Sequence, residues 1–245
     1  IMATIGQDGA PYLDRLDKLG ISRRCIRAVD TSFTAQAFIT TDADGNQIIA
    51  FHPGAMTFSH ENLVSQAGAV KHAIVAPDGR DGMLQHAQHC AEQEIPFIFD
   101  PGQGLPMFNG TELEHFIDLA TYVAVNDYEA ELLVERTGLS LTDIATRVTA
   151  LIVTRGAAGA EIHTGGQRLD IPAVKVEKAV DPTGCGDAFR AGVLYGLSSG
   201  MDWPTIGRLS SLMGSIKIGH QGGQNHRPSR AEIDAQFKSA FGYSL

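Results

Sequence analysis

The 245-residue chain is 43% hydrophobic, holds 27 glycines and one tryptophan, and carries a formal net charge of −9. That length supports one substantial α/β domain with a real core and hardly two. The acidic balance argues against nucleic acid as a bulk partner, and no apolar run approaches membrane-spanning length.

Residues 1–6 read as a strand, with no initiator methionine at position 1, so a further N-terminal region is expected ahead of it. Residues 11–19 read as a helix with Leu13, Leu16 and Leu19 on one face and Gly20 as its stop. Two β-prone runs, 32–41 and 47–51, flank Asp42-Ala43-Asp44-Gly45-Asn46, a hairpin signal. Phe51-His52-Pro53-Gly54-Ala55 closes this region, either beside a substrate pocket or as a plain loop turn. From Lys71 onward strands at 73–76, 97–100, 122–126 and 151–154 alternate with helices at 81–92, 113–120 and 128–137. Such alternation predicts right-handed βαβ units, a mainly parallel sheet and helices on both faces. Active sites in such sheets lie beyond the strand C-termini, where Asp100, Asn126 and Thr154 fall. A hairpin at 160–171, a β-rich run at 171–180, and helices at 211–224 (broken by Gly219 and Gly222-Gly223) and 229–241 complete the chain.

Several features carry little. His86, His89 and Cys90 share a helix face, but no second ligand pair follows, so a surface or packing role is expected. Cys25, Cys90 and Cys185 read as free thiols of a reducing compartment, hence a cytoplasmic protein without a secretory leader. Asn109-Gly110-Thr111 matches a glycosylation sequon and reads as a turn.

The informative stretch is Asp181-Pro182-Thr183-Gly184-Cys185-Gly186-Asp187-Ala188-Phe189-Arg190-Ala191-Gly192, which opens into an apolar pattern at Phe189, Val193, Leu194 and Leu197. Thr183 is the expected N-cap. A helix start presents unpaired amides and the positive end of the macrodipole, which together suit an anion. Gly184 and Gly186 would let a phosphate approach closely. Asp187 sits beside a site suited to negative charge, so it is assigned a chemical task, that of general base toward a hydroxyl. A dinucleotide fingerprint needs glycine where Phe189 stands, and no Gly-Lys pair for a Walker A loop occurs in the chain. An ordinary strand-to-helix turn is the bland alternative. Asn126-Asp127-Tyr128-Glu129 lets Asn126 and Glu129 address one site, while a capping box explains the same spacing equally well.

The 181–192 stretch resembles the C-terminal signature of the ribokinase-like (PfkB-type) carbohydrate kinases, which include adenosine kinases. The resemblance implies a three-layer α/β/α sandwich over residues 1–245, with lid strands at about 24–54 that cover the acceptor and offer a dimer surface. It makes Asp187 the catalytic base and Gly184, Cys185 and Gly186 the anion hole. Asn126 and Glu129 would organise magnesium, largely through water. Thr154, Gly156 and Gly159, in Thr154-Arg155-Gly156-Ala157-Ala158-Gly159-Ala160, would contact ATP, and the 211–224 segment, with Gly214 and Gln224, would wall the adenine. That segment's carbonyls, with Asp181 and Thr183, imply a monovalent cation such as potassium. Gly6-Gln7-Asp8 matches the family's Gly-x-Asp, and Phe51 and His52 fall near the acceptor. Asp100-Pro101-Gly102-Gln103-Gly104 departs from the family's Asp-x-Asn-x-Arg, and the family's substrate-gripping N-terminal segment is not in this chain.

The implied activity is transfer of the γ-phosphoryl group of ATP to a primary hydroxyl of a nucleoside or sugar. The lid and the end segment His220-Gln221-Gly222-Gly223-Gln224-Asn225-His226 resemble bacterial adenosine-kinase-like members, which puts adenosine first. A sugar kinase of ribokinase or fructokinase type is the alternative. A nucleotide-binding regulator without catalysis is a third reading, opposed by the intact Asp187.

Overall fold

The computed structural model describes residues 1–41 and 47–245. Its centre is a six-stranded sheet, ordered β10 (Gln167–Ile171), β9 (Ala160–Thr164), β8 (Ala150–Thr154), β7 (Tyr122–Asn126), β6 (Phe97–Phe99) and β5 (Ala73–Val75). Strands β5 to β8 run parallel, while β9 and β10 add an antiparallel hairpin at one edge. The parallel strands are near-continuous apolar runs because both faces are covered.

The period of two along each strand sorts the core into two halves. Phe97, Phe99, Val123, Val125, Leu151 and Val153 face one layer. That layer holds α2 (Arg80–Glu92), α3 (Gly110–Leu119), α4 (Asp127–Thr137) and α5 (Leu141–Arg147). Ile98, Tyr122, Ala124, Ile152 and Ile162 face the other, where Phe189 and Val193 of α6 (Cys185–Ser198) and Ile206 of α7 (Trp203–Ile218) pack. The C-terminal α8 (Arg230–Phe241) closes a smaller cluster against α7 through Phe237.

Outside the main sheet, β1 (Met2–Gly6) pairs in parallel with β2 (Cys25–Val29), followed and preceded respectively by α1 (Ala10–Lys18). A cavity of about 610 Å³ lies between β1 and β5, lined by Met2, Thr4, Ala73 and Val75 among others. The strands expected to form a lid are the antiparallel pair β3 (Gln36–Thr41) and β4 (Gln47–His52). Its expected turn, Asp42 to Asn46, lies outside the described residues.

Three expectations need correction. Residues 172–180 form no strand, because the chain leaves the sheet edge at Ile171. The helix expected at 211–224 begins at Trp203, with Asp202 accepting from Thr205 N–H, and Gly219 ends it rather than interrupting it. Asn109 caps α3 with a full Asn109–Glu112 capping box instead of standing in a free turn. As expected, His86 and Cys90 are packing groups: the imidazole Nε2 lies 3.0 Å from the Asn62 carbonyl, and Cys90 is buried in the core.

Helices α6 and α7 meet closely because Gly192 and Gly196 present no side chain. A Cβ at Gly192 would sit 2.6 Å from the Ser210 Cα, which is backbone and cannot step aside. Alanine normally improves a helix interior over glycine by about 1 kcal/mol, but here the clash reverses the sign. Gly192→Ala should therefore destabilise the protein by about 1–3 kcal/mol in urea unfolding; a stabilised variant would mean that α6 and α7 are less tightly apposed.

Candidate active site

The 181–187 turn reaches α6 without the cap expected of Thr183. Gly184 is the N-cap residue, with φ 84° and no side-chain cap, a left-handed conformation that glycine adopts without a Cβ penalty. A Cβ there would also come within 3.2 Å of Gly223, so this turn is pressed against the 222–223 loop. The Thr183 N–H instead donates to Asp181 Oδ1 at 2.9 Å. Asp181 Oδ2 accepts from the Gly222 N–H at 2.8 Å and the Gln221 side chain at 3.2 Å. The Thr183 and Gly222 bonds hold the Asp181 carboxyl down at about 2, so it is ionised at neutral pH.

The Cys185 amide donates to the Pro182 carbonyl at 3.1 Å, closing a turn, while Gly184 and Gly186 amides have no backbone partner among the described residues. Of the three amides expected in the anion hole, these two are bare in this geometry. Burial raises the Cys185 thiol, leaving it protonated and unsuited to act as a nucleophile. Asp187 follows in the first turn of α6 and is exposed. Gly214 of α7 lies under this turn, its missing side chain 3.6 Å from the Cys185 carbonyl.

One turn further along α6 lies a group the motif reading passed over. Arg190 is 8% exposed and its Nε stands 2.5 Å from Asp100 Oδ2, with Nη2 3.8 Å from Glu129 Oε2. Asp100 follows β6 and Glu129 lies in the first turn of α4, so one guanidinium ties α6 to a strand end and a helix start. A Cβ at Gly186 would lie 2.7 Å from Arg190 Nη1, so a side chain there would displace the guanidinium. Burial lifts the Asp100 carboxyl to about 6; Arg190 opposes this, while Glu129 and Asp187 add to it. Asp100 Oδ1 is buried without a hydrogen-bond partner. The polar residue ending a parallel strand at Asp100, and an arginine on the apolar side of a helix, were the available signals.

Asn126 and Glu129 form the capping box in full: Glu129 N–H donates to Asn126 Oδ1 at 2.7 Å, and Asn126 N–H to Glu129 Oε2 at 2.8 Å. Asn126 pairs directly with Thr154 across β7 and β8, so the Asn126 and Thr154 segments share one rim. There the chain turns through Gly156 (φ 53°) and Gly159 (φ 90°) into β9. Glu129 and the orphaned Oδ1 of Asp100 suit a magnesium ion, which keeps several waters and takes one or two carboxylates beside phosphate oxygens. No group of three or more metal-ligating side chains occurs among the described residues.

Other expected residues stand apart. The Gln224 side chain donates to the Tyr12 hydroxyl at 3.1 Å, and its carbonyl accepts from Arg15. Phe51 and His52 are exposed at the end of β4. The Gly6-Gln7-Asp8 segment fastens the lid, since Asp8 Oδ1 accepts from both Thr34 N–H (2.8 Å) and Thr34 Oγ1 (2.7 Å).

A model described as the pfkB family carbohydrate kinase matches residues 2–230. A nucleoside kinase of Methanocaldococcus jannaschii is 30% identical over 232 residues, 94% of this chain and 76% of that protein. A ribokinase of Bacillus subtilis is 31% identical over 96% of this chain and 80% of its own length. Among solved structures, the Burkholderia thailandensis nucleoside kinase in complex with inosine superposes with a TM-score of 0.97 at 57% identity, covering all of this chain and 82% of that one. The same enzyme in complex with ADP-inosine gives 0.95.

Because Asp100 binds its proton more tightly folded than unfolded, its contribution makes the fold less stable as pH rises from 3.8 through about 6. Asp100→Asn should remove up to about 3 kcal/mol of that decline in urea unfolding across the window. An unchanged slope would show that Asp100 titrates normally.

Proposed function

The chain belongs to the pfkB family of carbohydrate kinases, and from that premise we propose that it transfers the γ-phosphoryl group of ATP to a primary hydroxyl of a nucleoside. Its fold is the ribokinase-like three-layer sandwich, and it is a phosphotransferase acting on an alcohol group. The observation that carries the finer reading is Asp187, exposed in the first turn of α6 immediately after the bare amides of Gly184 and Gly186.

Phosphoryl transfer asks the protein for positioning and charge stabilisation rather than covalent chemistry. Asp187 accepts the proton as the acceptor oxygen attacks the γ-phosphorus and the bond to the bridging oxygen of ADP breaks. The amides of Gly184 and Gly186 face the charge of the moving group, and Cys185 joins them when its amide leaves the Pro182 carbonyl. Asn126, Thr154, Gly156 and Gly159 line the rim along which the phosphates lie, with Gly214 toward the base. Glu129 and Asp100 would hold magnesium, in part through water, and the ion would supply positive charge that offsets that of the phosphates.

Adenosine remains the first acceptor, and inosine stands beside it because the Burkholderia enzyme holds inosine. Ribose is the competing acceptor, on the likeness to the Bacillus ribokinase. Turnover with a panel of nucleosides, ribose and fructose separates these readings. The three free thiols support a cytoplasmic setting. The lid presents apolar side chains on both faces, Phe38 and Ile48 on one, Ile39 and Phe51 on the other, each at least 52% exposed. A two-stranded pair with two bare apolar faces gains from covering both, and the first face, with Phe38 and Ile48, supports a homodimer with the second, which carries Phe51, turned to the acceptor.

Two outcomes are expected. Asp187→Asn should lower kcat by about 10³-fold or more while MgADP affinity and melting temperature stay near wild type; wild-type turnover would remove Asp187 from the chemistry. Sedimentation should show a dimer that Ile48→Asp shifts to monomer, and a monomeric parent protein would discard the lid interface.

A further inference from the structure

Lys217 has no exposed surface at all. Lysines are almost never buried to that degree unless their charge is met. Here the ammonium donates to the Asp181 carbonyl at 2.6 Å and the His220 carbonyl at 3.0 Å. The first oxygen opens the 181–187 turn and the second lies just beyond the end of α7. These are the two sides between which the family resemblance implies a monovalent cation.

The remaining donors do not suit a second cation. Asp181 Oδ2 already accepts two N–H groups, from Gly222 and Gln221, and a carboxylate oxygen offers about two lone pairs. Asp181 Oδ1 is bonded to the Thr183 N–H. An ion drawn to the carbonyls of Asp181 or His220 would meet the ammonium already fixed on them, and like charges at such range repel. Two backbone bonds seal the same junction, from Val180 and Asp181 N–H to the Ile218 carbonyl at 2.8 and 3.2 Å.

We infer that the Lys217 ammonium takes the place of that monovalent cation, so that the anion-hole turn is positioned by a charge built into α7 and the enzyme works without potassium. The inference rests on the kinase reading above. Lys217 is a positioning residue: it holds the carbonyls that fix where the Gly184 and Gly186 amides point.

The test uses the whole chain in tetramethylammonium buffer, with potassium or ammonium chloride added to about 100 mM. Wild-type kcat should change by less than about twofold, and its melting temperature in MgADP by less than about 2 °C, relative to tetramethylammonium chloride of equal strength. Lys217→Ala should lose about 10²-fold in kcat and regain about tenfold on adding ammonium or potassium, a cation-specific rescue that a purely structural loss would not show. A tenfold potassium activation of the wild type, potassium-specific stabilisation above about 3 °C, or an undiminished Lys217→Ala would each overturn the inference. Silence toward every nucleoside and sugar would instead defeat the kinase reading. The melting comparison would still decide the cation question, and it needs no turnover, so it stands even if Lys217→Ala fails to fold.

Discussion

A helix N-terminus can serve an anion only if its amides stay unpaired and their position is fixed, two demands that oppose each other. Amides are ordinarily fixed by being hydrogen-bonded. In this chain the turn before α6 is held by everything except the amides of Gly184 and Gly186. Asp181 is fastened through its carboxylate to Gly222 and Gln221, and through its carbonyl to Lys217. Arg190, one turn into the helix, is fastened to Asp100 and Glu129. Between these anchors Gly184 and Gly186 keep bare N–H groups.

The two anchors do different electrostatic work. Lys217 and Arg190 are both buried cations, and each is met by oxygens rather than left to raise the local field unopposed. A buried ion pair such as Arg190–Asp100 adds little net stability, because desolvation offsets most of the attraction. Its value lies in geometry: removing either partner leaves a stranded charge, so the arrangement resists drift. Asp100 shows the cost, its carboxyl pushed up to about 6 by burial in spite of the guanidinium beside it.

The lid is attached by a lighter hand. Asp8 grips Thr34 at its base, and a Cβ at Gly6 would lie 2.2 Å from the Phe33–Thr34 backbone, so the hinge itself is tightly defined. Beyond it β3 and β4 expose apolar side chains on both faces.

The sequence by itself determined the layer order and the site's address. Continuous apolar runs at 122–126 and 150–154, alternating with helical periods, admit little but a parallel sheet covered on both sides, and Asp181 to Gly192 marks where an anion is proposed to bind. These are local signals, written in neighbouring residues. The tertiary structure alone decided which helix start was capped by what, with Gly184 in place of Thr183, and that 172–180 leaves the sheet. It also turned Gln224 toward Tyr12, recruited Arg190 and Asp100, and brought Lys217 under a turn 36 residues away. Those outcomes depend on which charge meets which oxygen across the packed layers, and no spacing along the chain encodes that distance.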